Sequence, residues 1–162
     1  IDDPVIFCEH KLLYYHLKAD KLPNEALPTG KARIVREGRD MTIVAYSAMV
    51  HEALAAAEEL ASEGSQIEVV DLRSVKPLDT DTVMASVART GRLLCVGESW
   101  PWGGVTAEVI ARVASEGFGL LDAPPQRLNA KDTPVPFHPN LWAVHRPTAR
   151  SIAAAARNVM RK

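Results

Sequence analysis

The sequence predicts an α/β domain, a three-layer sandwich in which a mostly parallel five-stranded sheet has one antiparallel edge strand and helices on both faces. Three observations predict this fold. After residue 41, short apolar runs of strand length alternate with longer stretches in which apolar residues recur every three or four positions. Glycines stand where the first three of these helical stretches should end. Right-handed crossovers between successive strands then give parallel pairing.

The first two strands are predicted at residues 32–35 and 41–46, which are separated by a polar turn. We expect them to form a hairpin-like pair, with the first strand as the antiparallel edge of the sheet. A helix is predicted over residues 48–63. Ser47 is its expected N-cap, and Gly64 is the C′ residue expected to stop it.

The middle of the chain repeats the alternation of strand and helix. Residues 67–72 are apolar enough to form a strand that is covered on both faces. Asp79 or Asp81 is expected to cap the following helix, which ends at Gly91. Residues 93–96 form the fourth predicted strand.

The last third of the chain contains two predicted helices and one short strand. The Gly103–Gly104 pair is expected to open a third helix, which Gly117 ends. Residues 127–129 are predicted to form a short edge strand. Pro147 suits the first turn of a last helix, because a proline there loses no backbone hydrogen bond.

The composition is that of an ordinary globular protein. Of 162 residues, 47% are hydrophobic and 24% are charged, which predicts one domain with a short appendage. A net charge of −1 provides no strong field for nucleic acid or an anionic membrane surface. No apolar run approaches the ~18 residues of a membrane-spanning helix. Cys8 and Cys95 lie in apolar runs without CxxC spacing, so we expect two buried, reduced thiols.

The first thirty residues differ from the rest. Residues 5–8 are an apolar run that predicts a strand, and residues 12–30 mix apolar residues with turn signals, as is typical of a linker crossing a surface. Tyr14 and Tyr15 are expected to pack on a neighbouring domain or subunit. Because the chain begins at Ile1, close to a predicted strand, we expect it to be part of a longer protein.

Two tryptophans mark the loop after the fourth predicted strand. Trp100 and Trp102 carry large apolar areas, which either another chain or this domain's own core must cover, and we favour another chain. The glycine pair in the same loop lacks the further glycines of a dinucleotide-binding motif and the lysine of a Walker loop. Phosphate binding is therefore not predicted here.

Several charged residues have both a functional and a plain interpretation. Asp71 and Arg73 end the third strand, and a local ion pair is favoured over an interface pair. Asp122 and Asp132 lie on proline-stiffened loops and are either partner-binding or simply solvated. His10 follows a glutamate, but the sequence supplies no nucleophile for it to activate, so a structural or interface role is favoured.

The order of several short motifs adds a resemblance. These motifs are Asp-Leu-Arg at 71–73, Pro-Leu-Asp at 77–79, Thr-Gly-Arg at 90–92, Glu98 after an apolar strand, Leu-Asp-Ala-Pro at 121–124 and Asp-Thr-Pro-Val-Pro-Phe at 132–137. Together with Pro-Val-Ile-Phe-Cys-Glu-His-Lys at 4–11, this order resembles the C-terminal domain of the beta subunit of 2-oxo acid dehydrogenase E1 components. These are the thiamin-diphosphate enzymes of the pyruvate, branched-chain and acetoin complexes. The resemblance covers nearly the whole chain.

The resemblance implies a domain layout. Residues 1–11 correspond to the last strand of an upstream pyrimidine-binding domain, residues 12–30 to an interdomain linker and residues 31–162 to the transketolase C-terminal-like domain. In this family thiamin diphosphate and magnesium lie between the pyrimidine-binding domain and the alpha subunit. We therefore expect no catalytic, cofactor-binding or metal-binding residue in this chain, and no activity by the chain alone.

The same resemblance implies partners. They are the E1 alpha subunit, a second beta subunit and the basic subunit-binding domain of the E2 subunit, whose lipoyl arm receives the acyl group after decarboxylation. Asp122 matches a position that faces the E2 domain. With Trp100, Trp102 and Asp132 it completes the set of candidate partner-binding residues. Pyruvate is the default substrate, and the bacterial cytoplasm is preferred to the mitochondrial matrix.

Three other functions are considered. The first is the C-terminal domain of a transketolase-like enzyme, which shares the fold, although the order of the motifs favours the dehydrogenase family. The second is a stand-alone, non-catalytic assembly module, which would require a native chain beginning near Ile1. A nucleotide-binding α/β domain is last, because no glycine motif follows the first strand of the regular region.

Overall fold

The computed structural model describes residues 2, 4–21 and 26–161. The strands are β1 (Arg33–Arg36), β2 (Met41–Ala45), β3 (Ile67–Asp71), β4 (Leu93–Val96) and β5 (Gln126–Leu128). The helices are α1 (Leu13–His16), α2 (Met49–Ser62), α3 (Thr80–Thr90), α4 (Val105–Glu116), α5 (Pro139–His145) and α6 (Ala149–Met160), and a short 3-10 helix spans Phe118–Leu120. None of the helices within the described ranges is long and apolar enough to cross a membrane.

The five strands form one sheet in the order β1-β3-β2-β4-β5. Strand β1 is antiparallel to β3, and every other neighbouring pair is parallel. All residues of β2, β3 and β4 are buried, as expected for strands that are covered on both faces. The predicted fold class is confirmed, including its antiparallel edge strand.

The predicted hairpin between the first two strands is wrong, because β3 lies between β1 and β2. The chain leaving β1 crosses the start of β3, where the amides of Arg39 and Asp40 donate to the carbonyl oxygen of Gln66 over 2.9 and 3.0 Å. Gly38 makes this crossing possible, since a Cβ at that position would overlap the backbone between Ile67 and Glu68. The polar segment that looked like a hairpin turn is therefore a crossing connection.

Helices cover the sheet on both faces and divide the core in two. On one face, α2 and α6 pack against side chains of β2 and β3 such as Ile43 and Val69. On the other face, α3 and α4 bury Val44, Val70 and Cys95. This division follows the alternation of side chains along a strand, which sends neighbouring residues to opposite faces.

Most helix ends agree with the sequence prediction. Asp79 is the N-cap of α3 and accepts a 3.3 Å hydrogen bond from the amide of Thr82. Gly91 ends the same helix in the left-handed conformation. Ser47 was wrongly predicted as the N-cap of α2. It lies before Ala48, which occupies the cap position, and its φ of 57° places it in the preceding turn.

The start of the last helix was also misplaced. The N-cap of α6 is Thr148, which forms a reciprocal capping box with Ser151, and Pro147 lies one residue before the cap. Pro147 therefore does not stand in the first helical turn. Helix α5 was not predicted at all, since its seven residues are too few to show a helical repeat.

The first described residues do not form the predicted strand. Residues 4–10 have no regular secondary structure, and the side chains of Val5, Ile6 and Phe7 are 62%, 89% and 82% exposed. The five-stranded sheet does not include them, so their backbone lacks the neighbour that a strand requires. Cys8 is exposed, which corrects the expectation that it is buried, while Cys95 is buried as predicted. The layout of residues 1–11 and 12–30 stays a prediction.

Candidate partner-binding surfaces

The Trp100 and Trp102 side chains lie at the edge of the sheet where the parallel strands end, here called the carboxyl edge. The loop that follows β4 carries them, and both are exposed, at 50% and 74%. The indole Nε1 of Trp100 donates to the carbonyl oxygen of Thr133 over 3.2 Å, and that of Trp102 donates to Asp132 Oδ2 over 2.7 Å. Both indole N–H groups are therefore satisfied within the chain, while much of each apolar ring faces solvent.

Polar contacts attach this loop to the end of β5. The side-chain amide of Asn129 donates to the carbonyl oxygen of Ser99 over 3.1 Å, and its Oδ1 accepts from the Thr106 hydroxyl over 3.0 Å. The amide of Ala130 donates to the same Ser99 carbonyl over 3.2 Å. These bonds link the loop after β4, the loop after β5 and the start of α4. They therefore hold the loop that carries Trp100 and Trp102 in a defined place.

Further exposed apolar side chains lie on the segment that follows Asp132 and on α5. The Thr133 hydroxyl contacts His145 Nδ1 at 3.2 Å, and the amide of Lys131 donates to the carbonyl oxygen of His145 over 3.0 Å, so α5 is joined to this loop. The exposed apolar residues on these segments are Val135, Phe137, Leu141 and Val144. Together with Trp100, Trp102 and Asp132 they form what we call the tryptophan surface. The α5 residues were not among the predicted site residues, because that helix was not predicted from the sequence.

Asp122 lies at the opposite edge of the sheet, where the parallel strands begin. Its carboxylate is 67% exposed, and Oδ2 lies 3.9 Å from Nη1 of Arg92. Beside it is an open groove of about 260 Å³. The apolar residues that line the groove are Ala114, Phe118, Leu121, Ala123, Pro124 and Pro125. We call this groove with its carboxylate the Asp122 groove.

The four predicted site residues therefore lie on two separate surfaces. The structure brings Trp100, Trp102 and Asp132 together at the carboxyl edge, but it places Asp122 before β5 at the amino edge. The two edges are separated by the length of the strands, at ~3.3 Å per residue. One partner that contacts both surfaces would have to reach across this distance.

The remaining charged candidates are paired with other side chains of the same chain. Arg73 Nη1 lies 3.5 Å from Asp71 Oδ2, and its amide donates to Asp71 Oδ1 over 3.2 Å, which agrees with the favoured interpretation as a local ion pair. His10 Nε2 lies 2.9 Å from Glu98 Oε2. Glu98 stands just after β4, and its pairing with His10 was not predicted because 88 positions of sequence separate the two residues.

The described residues offer few groups suited to cofactor chemistry. No cluster of three His, Cys, Asp or Glu side chains within residues 2, 4–21 and 26–161 is placed to hold a metal ion. Complete burial of Cys95 raises the pKa of its thiol well above the usual range, so this thiol is a poor nucleophile. No step of thiamin diphosphate or magnesium chemistry is assigned to these residues.

Comparisons with known proteins identify the family. The model of the transketolase C-terminal domain matches residues 30–152. The beta subunit of an acetoin:2,6-dichlorophenolindophenol oxidoreductase from Cupriavidus necator is 48% identical over 99% of this chain and 47% of its own length. Subunit beta-1 of the mitochondrial pyruvate dehydrogenase E1 component from Arabidopsis thaliana is 46% identical over 96% of this chain and 44% of its own length.

Solved structures agree with these sequence matches. A split-gene transketolase in the form of an inactive β4 tetramer has a TM-score of 0.75 at 28% identity, covering 90% of this chain and 46% of that protein. This chain spans about half the length of the curated relatives it matches. On the strength of the family match over most of its residues, the chain belongs to the transketolase C-terminal domain family.

Proposed function

We propose that this chain is the C-terminal domain of the beta subunit of a 2-oxo acid dehydrogenase E1 component. The main supporting observation is the match to beta subunits of acetoin and pyruvate enzymes. These subunits are 46–48% identical to this chain along nearly the whole of its length. The parent enzyme would oxidatively decarboxylate a 2-oxo acid, with pyruvate as the default substrate, and pass the acyl group to the lipoyl arm of E2. The bacterial cytoplasm is the proposed compartment.

The proposed role of this domain is assembly. The tryptophan surface supports it, because clustered exposed aromatic and apolar side chains indicate a site for another protein surface. Its proposed occupants are the E1 alpha subunit and a second beta subunit. The split-gene transketolase offers a parallel, since it forms a β4 tetramer.

E2 docking is proposed for the Asp122 groove. A basic subunit-binding domain could place an aliphatic stem on Phe118 and the prolines, with its cationic head at the Asp122 carboxylate. Arg92 lies close enough to reduce this attraction, so the groove favours a partner whose charge reaches the solvent-facing side of Asp122. Charge complementarity of this kind speeds the encounter and makes it sensitive to salt.

Thiamin diphosphate and magnesium belong to the parent enzyme in this proposal. The cofactor would supply a carbanion that attacks the 2-oxo acid, and it would be held by other parts of the assembled enzyme. This chain would contribute position and surface. We therefore expect it to be inactive by itself.

Reconstitution tests the proposal. The native full-length protein is assembled with its alpha subunit, and dye reduction is measured with pyruvate, branched-chain 2-oxo acids and acetoin, with and without thiamin diphosphate and magnesium. Cofactor-dependent reduction with one of these substrates is the expected result. An assembly that is inactive on all of them but transfers two-carbon units between sugar phosphates would contradict it.

That contrary result would favour the second candidate, a transketolase-like enzyme. The observation that supports this candidate is the structural similarity to the split-gene transketolase. A stand-alone assembly module is the third candidate. It requires that the native protein form complexes without any cofactor-dependent reaction.

A further inference from the structure

We propose that the hydrogen bond between His10 and Glu98 is a latch that fixes the direction in which residues 4–9 leave the carboxyl edge of the sheet. His10 Nε2 and Glu98 Oε2 are 2.9 Å apart, and their side chains are only 23% and 28% exposed. A hydrogen bond to a carboxylate that is largely withdrawn from water is stronger than one at an open surface. The contact therefore joins two residues that are 88 positions apart in the sequence.

Glu98 is the rigid side of this latch. The amide of the preceding Gly97 donates to the carbonyl oxygen of Leu128 over 3.1 Å, which extends the pairing of β4 with β5 up to Glu98. Just after it, the Ser99 carbonyl accepts from both Asn129 and Ala130. Because both neighbours are held by the end of β5, the Glu98 backbone has little freedom to follow a moving partner.

His10 is the attached side. It stands at the junction between the irregular residues before it and the short helix α1, where the amide of Leu13 donates to the His10 carbonyl over 3.0 Å. Its Nδ1 is buried and has no hydrogen-bond partner within the described residues. Because the Glu98 carboxylate oxygen can only accept, Nε2 is the donor in this hydrogen bond, and the ring is held through that atom alone.

The latch has a consequence for the apolar residues that precede it. The side chains of Val5, Ile6 and Phe7 are exposed in this chain, although such a run normally requires cover. Fixing His10 fixes the place and direction at which this run departs from the sheet. The inference rests on the proposed function only for the identity of the cover, which would be the domain preceding residue 12 in the native beta subunit.

The test is hydrogen exchange in the native full-length assembly. His10→Ala and Glu98→Ala remove the two partners singly and together, and His10→Gln is the conservative variant, since its amide nitrogen can occupy nearly the position of Nε2. Glu108→Ala is the matched control, because it removes a carboxylate from an exposed pair with Arg112 on α4. The amides of Leu13 and Leu17, both hydrogen-bonded in and around α1, report on the latch.

Each alanine variant is expected to speed exchange at these two amides by roughly tenfold, the loss associated with a hydrogen bond to a charged group. The double variant should be no faster than either single variant, His10→Gln should recover most of the protection, and Glu108→Ala should change nothing. Additive effects, or unchanged exchange in the single variants, would overturn the latch. An assembly without thiamin-dependent activity would refute the proposed function, yet the exchange result would still decide this inference.

Discussion

The backbone amide of Asp122 donates a 2.7 Å hydrogen bond to the carbonyl oxygen of Gly91, and the Asp122 side chain covers the α-carbon of that glycine. Gly91 has a φ of 65°, so it combines the left-handed conformation with a neighbour that leaves no room for a Cβ. The turn after α3 thereby sets the position of the carboxylate at the Asp122 groove.

Gly91→Ala should destabilise the domain by about 1–3 kcal/mol, because it adds backbone strain and displaces the Asp122 side chain. Gly64→Ala is the matched control. Gly64 also has a positive φ, 90°, but nothing lies within 4 Å of an added Cβ. Urea denaturation measures both variants. Equal losses would mean that Asp122 does not restrict the space over Gly91.

Asp79 is predicted to make stability depend on acid. Burial favours the neutral form of this carboxyl group, but hydrogen bonds from the amide of Ala32 and from Thr82, together with Lys31, outweigh burial and lower its pKa. A folded-state pKa below the unfolded value of ~3.9 means that Asp79 contributes fully above that pH, and that its contribution is lost as pH falls through the folded pKa.

Asp79→Ala removes the cap of α3 and should cost about 1–2 kcal/mol at pH 7. Below pH ~3.9 the difference in unfolding free energy between Asp79→Ala and the wild type should shrink. The reason is that protonation of Asp79 in the wild type removes the contribution of its charge. Urea denaturation at several pH values checks this. A difference that stays constant down to pH 2 would contradict the assigned role of the charge.

The buried Glu68 side chain forms an ion pair with Arg89. Glu68 is 1% exposed while Arg89 is half-exposed, and Glu68 Oε1 lies 3.5 Å from the Thr42 hydroxyl. Arg89→Ala would leave a buried carboxylate without its cation and should cost about 3 kcal/mol. Arg112→Ala, which breaks an exposed pair, should cost at most about 0.5 kcal/mol. Thermal denaturation of both variants compares them, and similar losses would show that the Glu68 pair behaves as a surface pair.

The sequence predicted the fold well where local chemistry decides it. Apolar runs located β1 to β4, although the similar run at residues 5–8 forms no strand, and Asp79, Gly91 and Gly117 marked helix ends as expected. It failed where distant contacts decide. The position of β3 between β1 and β2 depends on the close approach at Gly38, which appears in the sequence only as an ordinary turn glycine.

The candidate surfaces were predictable only in part. The sequence identified Trp100 and Trp102 by their size, and their indole contacts with Thr133 and Asp132 now give them a place. Asp122 precedes the last strand, so its place at the amino edge follows from parallel pairing, but its contact with Gly91 joins segments that are far apart in the sequence and could not be predicted. The pair of His10 and Glu98 was hidden for a similar reason, since its members are far apart in sequence.

We propose that other parts of the assembled enzyme bind the cofactor and that this chain contributes only surfaces. This proposal predicts the outcome of a cofactor titration. Thiamin diphosphate and magnesium titrated into this 162-residue chain in a calorimeter should give no binding heat, while the assembled native enzyme should bind them. The reason is that the described residues contain no cluster suited to magnesium and no phosphate-binding glycine motif. If the chain alone bound thiamin diphosphate at the affinity of the assembled enzyme, the proposal that the cofactor site lies elsewhere would be refuted.

The claim that this chain acts through its surfaces is tested most directly by its affinity for the E2 subunit-binding domain. Surface plasmon resonance on the assembled E1 compares Asp122→Lys with Glu37→Lys, which makes the same charge change at an exposed position in the connection between β1 and β2. Asp122→Lys should weaken binding at least tenfold, through slower association as well as faster dissociation, and reduce the salt dependence, while Glu37→Lys should leave both rates unchanged. Equal affinities for the two variants would remove the Asp122 groove from the docking site.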